Sequence, residues 1–179
     1  MTLQVRTSFP LVDEILGAYS PRLGRAAVPY RNHVCRMLNY HAALAPETAL
    51  PDHAMVAAAF HDLGIWTHDT FDYLDPSRGL AAYLHAHGLG EYAAEVDALI
   101  LEHHKLTRYP GPGPASIEAF RRADLADVSF GVVRGQVPGD FARSVMQAFP
   151  NAGFHVTLLG LAWKQFLREP LRPMPMLRW

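Results

Sequence analysis

The chain has 179 residues, 50% of them hydrophobic and 18% charged, with a formal net charge of −1. That length and apolar content suit one domain with a sizeable core and exclude intrinsic disorder, and a near-neutral balance without a long basic run excludes an obligate nucleic-acid partner. Cys35 is the only cysteine beside ten histidines, so no intramolecular disulfide can form, a reducing cytoplasm is the expected compartment, and any metal ligands should be imidazole and carboxylate rather than thiolate.

No apolar run is long enough for a membrane span, and the N-terminus lacks the basic-then-apolar pattern of a signal peptide, so neither is expected. Alternating strand patterns are almost absent and the helical period recurs, which predicts an all-α fold, a single bundle of about seven or eight helices. The first helix is expected over residues 11–19, before Ser20-Pro21. The second starts near Pro29, a good first-turn residue, and runs to about Leu44. The third begins near Pro51-Asp52 and ends at His61-Asp62, with Gly64 as its stop. A fourth follows Pro76 and stops at Gly88, and a fifth runs from Glu91 to about His104. Residues 109–114, Tyr-Pro-Gly-Pro-Gly-Pro, must be a loop. Further helices are expected over 116–128, 140–148 and 156–167. Residues 1–169 are read as the helical domain. The remaining 170–179 are extended and apolar, with Leu171, Met174, Met176, Leu177 and Trp179 among three prolines. Such a tail should pack on its own domain or on a neighbouring subunit, and a homodimer is one expected form.

Along the second helix Tyr30, His33, Val34, Met37, Leu38 and His41 share a side, so His33 points toward the core. His41 lies about 12 Å further along the axis, too far to ligate the same ion, and Cys35 points elsewhere. A lone inward histidine is ordinarily a hydrogen-bonded core residue. The third helix changes that weighting. Residues 54–60 are apolar all round, hence buried on most sides, and deliver His61 and Asp62. A charged Asp at the end of a buried helix is expensive unless paired or bound to metal. Neighbouring side chains point about 100° apart on a regular helix, but a C-terminal turn lets both converge on one ion.

Phe60-His61-Asp62-Leu63-Gly64, with His33 upstream and Asp124 in Arg122-Ala123-Asp124-Leu125-Ala126-Asp127, resembles the HD-domain superfamily of metal-dependent phosphohydrolases. The resemblance covers about half the chain, from His33 to Asp127. It implies that His33, His61, Asp62 and Asp124 hold a divalent transition metal, with Asp62 central to catalysis and Asp127 in a structural hydrogen bond. Two imidazoles and two carboxylates balance the ion's charge and leave positions for water and substrate, a set that suits Mn, Fe, Co, Ni or Zn. Binuclear members, the HD-GYP phosphodiesterases and mixed-valent di-iron oxygenases among them, add two histidines before the last Asp. Here His103 and His104 resemble the later of those positions. His103 shares a face with Val96, Leu99 and Ile100, and His104 is a candidate catalytic group in the same cleft. The earlier position reads Asp75-Pro76 instead of His-Pro. That departure favours one ion over two, with Asp75 left as a ligand or general base. His85 and His87 precede Gly88 and are read as favouring a helix C-terminus.

Lys105, Arg108 and Arg121 are candidate phosphate clamps, Lys105 foremost, whereas Arg122 is read as part of a solvated face. Arg108-Tyr109-Pro110-Gly111 loosely resembles the Gly-Tyr-Pro loop of HD-GYP proteins, too loosely to imply cyclic-dinucleotide hydrolysis. Trp66, Phe71 and Tyr73 either wall a pocket above the metal or anchor a loop. His68-Asp69 repeats the dyad without an upstream partner, and His53 and His155, at helix starts, are expected at the surface. The resulting expectation is a metal-dependent phosphohydrolase acting on a small phosphorylated molecule such as a nucleotide. Two alternatives stand beside it: a di-iron oxygenase or nitrile-type hydratase on the same fold, and a non-catalytic helical domain for ligand sensing or assembly.

Overall fold

The computed structural model describes residues 3–46, 50–78, 80–111 and 115–178. Among these residues every regular element is helical. Helix α1 (Pro10–Ala18) and the single turn α2 (Ser20–Leu23) lead into α3 (Ala27–Leu44). Helix α3 is the axis of the bundle. Twelve of its residues between Pro29 and His41 are buried, polar Asn32, His33, Arg36 and Asn39 among them. It packs on α1, α4 (Asp52–Phe60), α9 (Ala115–Val128), α10 (Gly139–Ala148) and α11 (Phe154–Arg168). Helix α4 is buried along residues 53–60, and its Ala57, Ala58 and Ala59 let α1 and α8 (Ala93–Glu102) approach it closely.

Between these lie α5 (Gly64–Thr67), α6 (Leu74–Ser77) and α7 (Ala81–Ala86). Eight helices exceed a single turn among the described residues, and the fold is all-α, as the periodicity predicts. The expected fourth helix is shorter than read, because Pro76 sits inside the single turn α6. It does end at Gly88, whose φ of 69° lies in the left-handed region that favours glycine. Gly64 acts differently from its expected role as a stop. It opens α5 in helical geometry, and a Cβ there would lie 2.7 Å from the carbonyl oxygen of Tyr73 and 2.9 Å from Ser77 Oγ. The glycine is needed for close approach, and its N–H donates to Ser77 Oγ at 3.1 Å.

The tail lies against its own domain. Met176 is buried with Ile65, Phe71, Tyr73 and Leu74, and the Leu106 N–H donates to the Arg178 carbonyl at 2.8 Å. Of the expected loop and tail, Pro112, Gly113, Pro114 and Trp179 lie outside the described residues. Among the described residues no helix is long and apolar enough to cross a membrane.

Candidate metal centre

His33 stands on α3 and Asp124 on α9, while His61-Asp62 and His103-His104 arrive on the turns just past α4 and α8. These six side chains meet at one place. His33 Nε2 lies 3.0 Å from His61 Nε2, 3.5 Å from Asp124 Oδ1 and 3.8 Å from Asp62 Oδ2. His61 Nε2 lies 3.3 Å from Asp62 Oδ2 and 3.9 Å from Asp124 Oδ1. On the other side, His103 Nε2 faces Asp62 Oδ1 at 3.4 Å and His104 Nδ1 faces Asp124 Oδ2 at 3.7 Å. Three overlapping groups keep their ligand atoms within 4.8 Å: His33, His61 and Asp124; His61, Asp62 and His103; His103, His104 and Asp124.

The hydrogen bonds of three imidazoles show which ring nitrogens face inward. His33 Nδ1 donates to Asp127 Oδ2 at 2.7 Å, His61 Nδ1 to the Ala58 carbonyl at 2.7 Å, and His103 Nδ1 to the Ile100 carbonyl at 2.6 Å. A neutral imidazole carries one proton, so in each ring Nε2 is a bare lone pair. In that neutral form the lone pairs of His33 and His61 would face each other at 3.0 Å, a repulsion that a cation or a proton between them relieves. Asp62 Oδ1, Asp124 Oδ1 and His103 Nε2 are buried without a hydrogen-bond partner. Buried acceptors are normally satisfied, and a cation is the partner that satisfies several convergent lone pairs together. The Nδ1–H bonds are the outer contacts that orient metal-ligating histidines. The residues therefore fit a metal ion.

Electrostatics agree. Burial opposes ionisation of Asp62, but His61 and His103 outweigh it and hold the carboxyl well below its ordinary range. Asp124 goes the other way, raised by burial that His103, His33 and His61 only partly offset. Burial also disfavours a charged His61, yet Asp62 and then Asp124 push it up to about 9.

Two residues without a predicted role hold the ligands in place. The Tyr30 hydroxyl donates to the Ala59 carbonyl at 3.0 Å and accepts from the Asp62 N–H at 3.2 Å, tying the ligand turn to α3. Arg36 is fully buried and donates to both oxygens of Asp127 and, at 3.0 Å, to the Phe149 carbonyl. Asp127 thus makes a structural hydrogen bond, as expected, its partner being His33, and it is the counter-ion of Arg36. Burial alone would raise its carboxyl, but hydrogen bonds from His33 and Arg36 keep it below the usual range. An Arg three residues after an inward His, with a second Asp three residues after the ligand Asp, is the only sequence signal of that pair.

Several expectations need correction. Asp75 does not join the cluster: its side chain is 78% exposed and pairs with Arg78 at 3.2 Å, because the contact of Gly64 with the 73–77 turn leaves Asp75 facing out. Trp66 packs on Tyr30, ring centroids 4.6 Å apart, and is not among the residues of the cavity wall. Arg108 is exposed and also outside that wall. Arg121 reaches the wall, but its guanidinium is held by Glu118 at 2.8 Å through two nitrogens and donates to the Lys105 carbonyl at 2.9 Å. The Glu118–Arg121 spacing of three residues signals that pairing in the sequence. His53 and His155 are buried rather than at the surface. His53 stacks on Tyr92, and His155 Nε2 bonds the Asp127 carbonyl. His68, His85 and His87 are exposed, away from the centre.

A cavity of about 280 Å³ opens onto Asp62, His103, His104 and Asp124, and Lys105, Phe71 and Tyr73 are part of its wall. The Tyr73 hydroxyl meets His104 Nε2 at 2.5 Å. Burial, with Asp62 and Asp124 beside it, raises the phenol so that it stays protonated. No protein-family model matches the chain, and neither a curated protein nor a solved structure does.

Proposed function

We propose that the chain is a metal-dependent hydrolase of the HD type, with His33 Nε2, His61 Nε2, Asp62 and Asp124 holding one divalent transition-metal ion. The observation that carries the reading is the set of Nε2 lone pairs, oriented by Asp127, Ala58 and Ile100, converging on carboxylate oxygens that no hydrogen bond satisfies. When bound, such an ion polarises a substrate carbonyl or phosphoryl group and acidifies water toward neutral pH. The chain's own residues then orient and handle protons. Asp62 and Asp124 each keep one oxygen directed past the ligand histidines, toward His103 and His104. Tyr73 and His104 are hydrogen-bonded to each other beside the cavity floor. The apolar wall excludes bulk water and so strengthens electrostatic interactions inside.

The phosphohydrolase reading that the HD resemblance implies needs cations to grip phosphate. Lys105 and Arg121 are the two cationic side chains on the cavity wall, and Arg121 is committed to Glu118. A second reading, two ions as in the oxygenase or hydratase branches, is favoured by one observation. Both carboxylates straddle the cluster, Asp62 between His61 and His103 and Asp124 between His33 and His104. If His104 donates from Nε2 to Tyr73, its Nδ1 is a lone pair beside Asp124 and a second ion can be held; if Tyr73 donates, it cannot.

The test is elemental analysis of freshly purified protein together with turnover of small ester, amide and phosphoester panels. The expected result is one tightly held ion per chain and hydrolysis that chelation abolishes and added metal restores. Asp62→Ala should abolish both. Absence of stoichiometric metal, or turnover indifferent to chelation and to Asp62→Ala, overturns the proposal. Two irons per chain with oxygen uptake would select the second reading.

A further inference from the structure

Resting on that metal centre, we infer that the substrate is a small amphiphile, with an apolar body of medium length and one compact polar head, rather than a phosphorylated molecule. The cavity wall is mostly apolar. Asp62, His103, His104 and Asp124 form its floor, whereas Phe71, Leu125, Val128, Leu158 and Ala162 are among the apolar residues of the rest, with Tyr73, Lys105 and Arg121 as the polar exceptions. A wall of that kind rewards methylene groups and penalises hydroxyls and charges left without partners. A nucleotide or sugar phosphate has a polar body that a mostly apolar wall leaves largely unpartnered.

Charge leads to the same conclusion. Two carboxylates balance a divalent ion, so the floor has no surplus positive charge for a phosphate dianion. Arg121, one of two cationic residues on the wall, is engaged by Glu118 and the Lys105 carbonyl. Size sets the length. A cavity of about 280 Å³, at roughly 30 Å³ for each water-sized group, admits on the order of ten non-hydrogen atoms. A linear eight-carbon carboxylate has that size. Part of the wall comes from the tail through Met174, Met176 and Leu177. Methionines adapt to flexible chains, so the apolar tail has a use beyond covering the core.

The experiment is calorimetric titration of the metal-loaded full chain with acetate, butanoate, hexanoate, octanoate and dodecanoate, and with inorganic phosphate, with metal content measured on the same sample. Affinity should rise about fourfold per methylene up to about octanoate and then stop rising, and phosphate should bind no tighter than acetate. Ala162→Phe, which narrows the cavity, should move the break to a shorter chain with metal content unchanged. A chain-length series that is flat in the wild-type protein, or phosphate binding more than tenfold tighter than octanoate, overturns the inference. The metal reading fails separately: a sample without metal that still shows the chain-length rise would sink that reading and support this one.

Discussion

Asp127 and Asp124 lie on one face of α9, three residues apart, both buried, yet replacing each by Asn should have opposite consequences. Asp127 accepts from His33 Nδ1, Arg36 Nε and Arg36 Nη2. An amide offers one acceptor oxygen and turns an N–H₂ toward one of those donors. Arg36, with no exposed surface, is left without a counter-ion. Breaking a buried pair in this way costs about 3–5 kcal/mol. For a chain of this size that is a fall of roughly 6–20 °C in Tm. Loss of the bond that orients His33 should also weaken metal binding about 10–100-fold. Asp124 Oδ1 has no hydrogen-bond partner to lose, and its carboxyl is raised by burial. Asp124→Asn should therefore remove a ligand and most of the metal affinity while changing metal-free stability by less than about 1 kcal/mol. The assay is urea unfolding of chelator-treated protein beside competition with a chromophoric chelator. If Asp124→Asn destabilises the metal-free chain as much as Asp127→Asn, the cluster is a structural hydrogen-bond network and the ligand argument is refuted.

Tyr30→Phe deletes the hydroxyl that joins the Ala59 carbonyl to the Asp62 N–H, so urea unfolding should show a loss of about 1–3 kcal/mol, with weaker metal binding; unchanged metal affinity would show that the turn holds itself. Gly64→Ala places a Cβ 2.7 Å from a backbone oxygen, which should cost about 1–3 kcal/mol and displace Tyr73, read as altered quenching of tyrosine fluorescence by bound metal. Metal binding should release a proton at pH 7. His61 in the metal-free chain is raised to about 9, so the stability its protonated form contributes is complete below the ordinary histidine range and is lost as pH rises through about 9. Calorimetry in two buffers of different ionisation enthalpy should find the released proton at pH 7 and none well above pH 9. Equal heats in both buffers at pH 7 would refute the assignment.

The His61-Asp62 pair was legible because its signals are local, whereas His33 and Asp124 joined it only through the HD resemblance. An all-apolar α4 announces burial, and a His-Asp pair at its end has no inexpensive explanation there. Asp75 was misread because a dipeptide likeness says nothing about which way a turn faces; the contact with Gly64 decides that, and it is tertiary. Arg36 was invisible for a similar reason. A buried arginine is unfavourable until its carboxylate is known, and Asp127 lies 91 residues away. The tail's apolar character was plain, but its position as a cavity wall depends on pairing between Leu106 and Arg178.

The placement of both dyads, His61-Asp62 and His103-His104, past helix C-termini has a physical basis. The last carbonyls of a helix have no intrahelical donor. At α4, the Asp62 N–H turns to Tyr30, so the Ala58 carbonyl is left for the His61 ring. His103 meets the Ile100 carbonyl with the same spacing of three residues. One hydrogen bond in each case satisfies a helix end, fixes the imidazole tautomer and aims Nε2 at the centre. A histidine inside a helix finds those carbonyls occupied, and His33 accordingly needs Asp127, held in turn by Arg36, to do the same. The fold thus orients three rings by two devices. The one that depends on Asp127 spans the bundle from α3 to α9, so its loss should reach both stability and metal affinity, whereas the helix-end device is local to each turn.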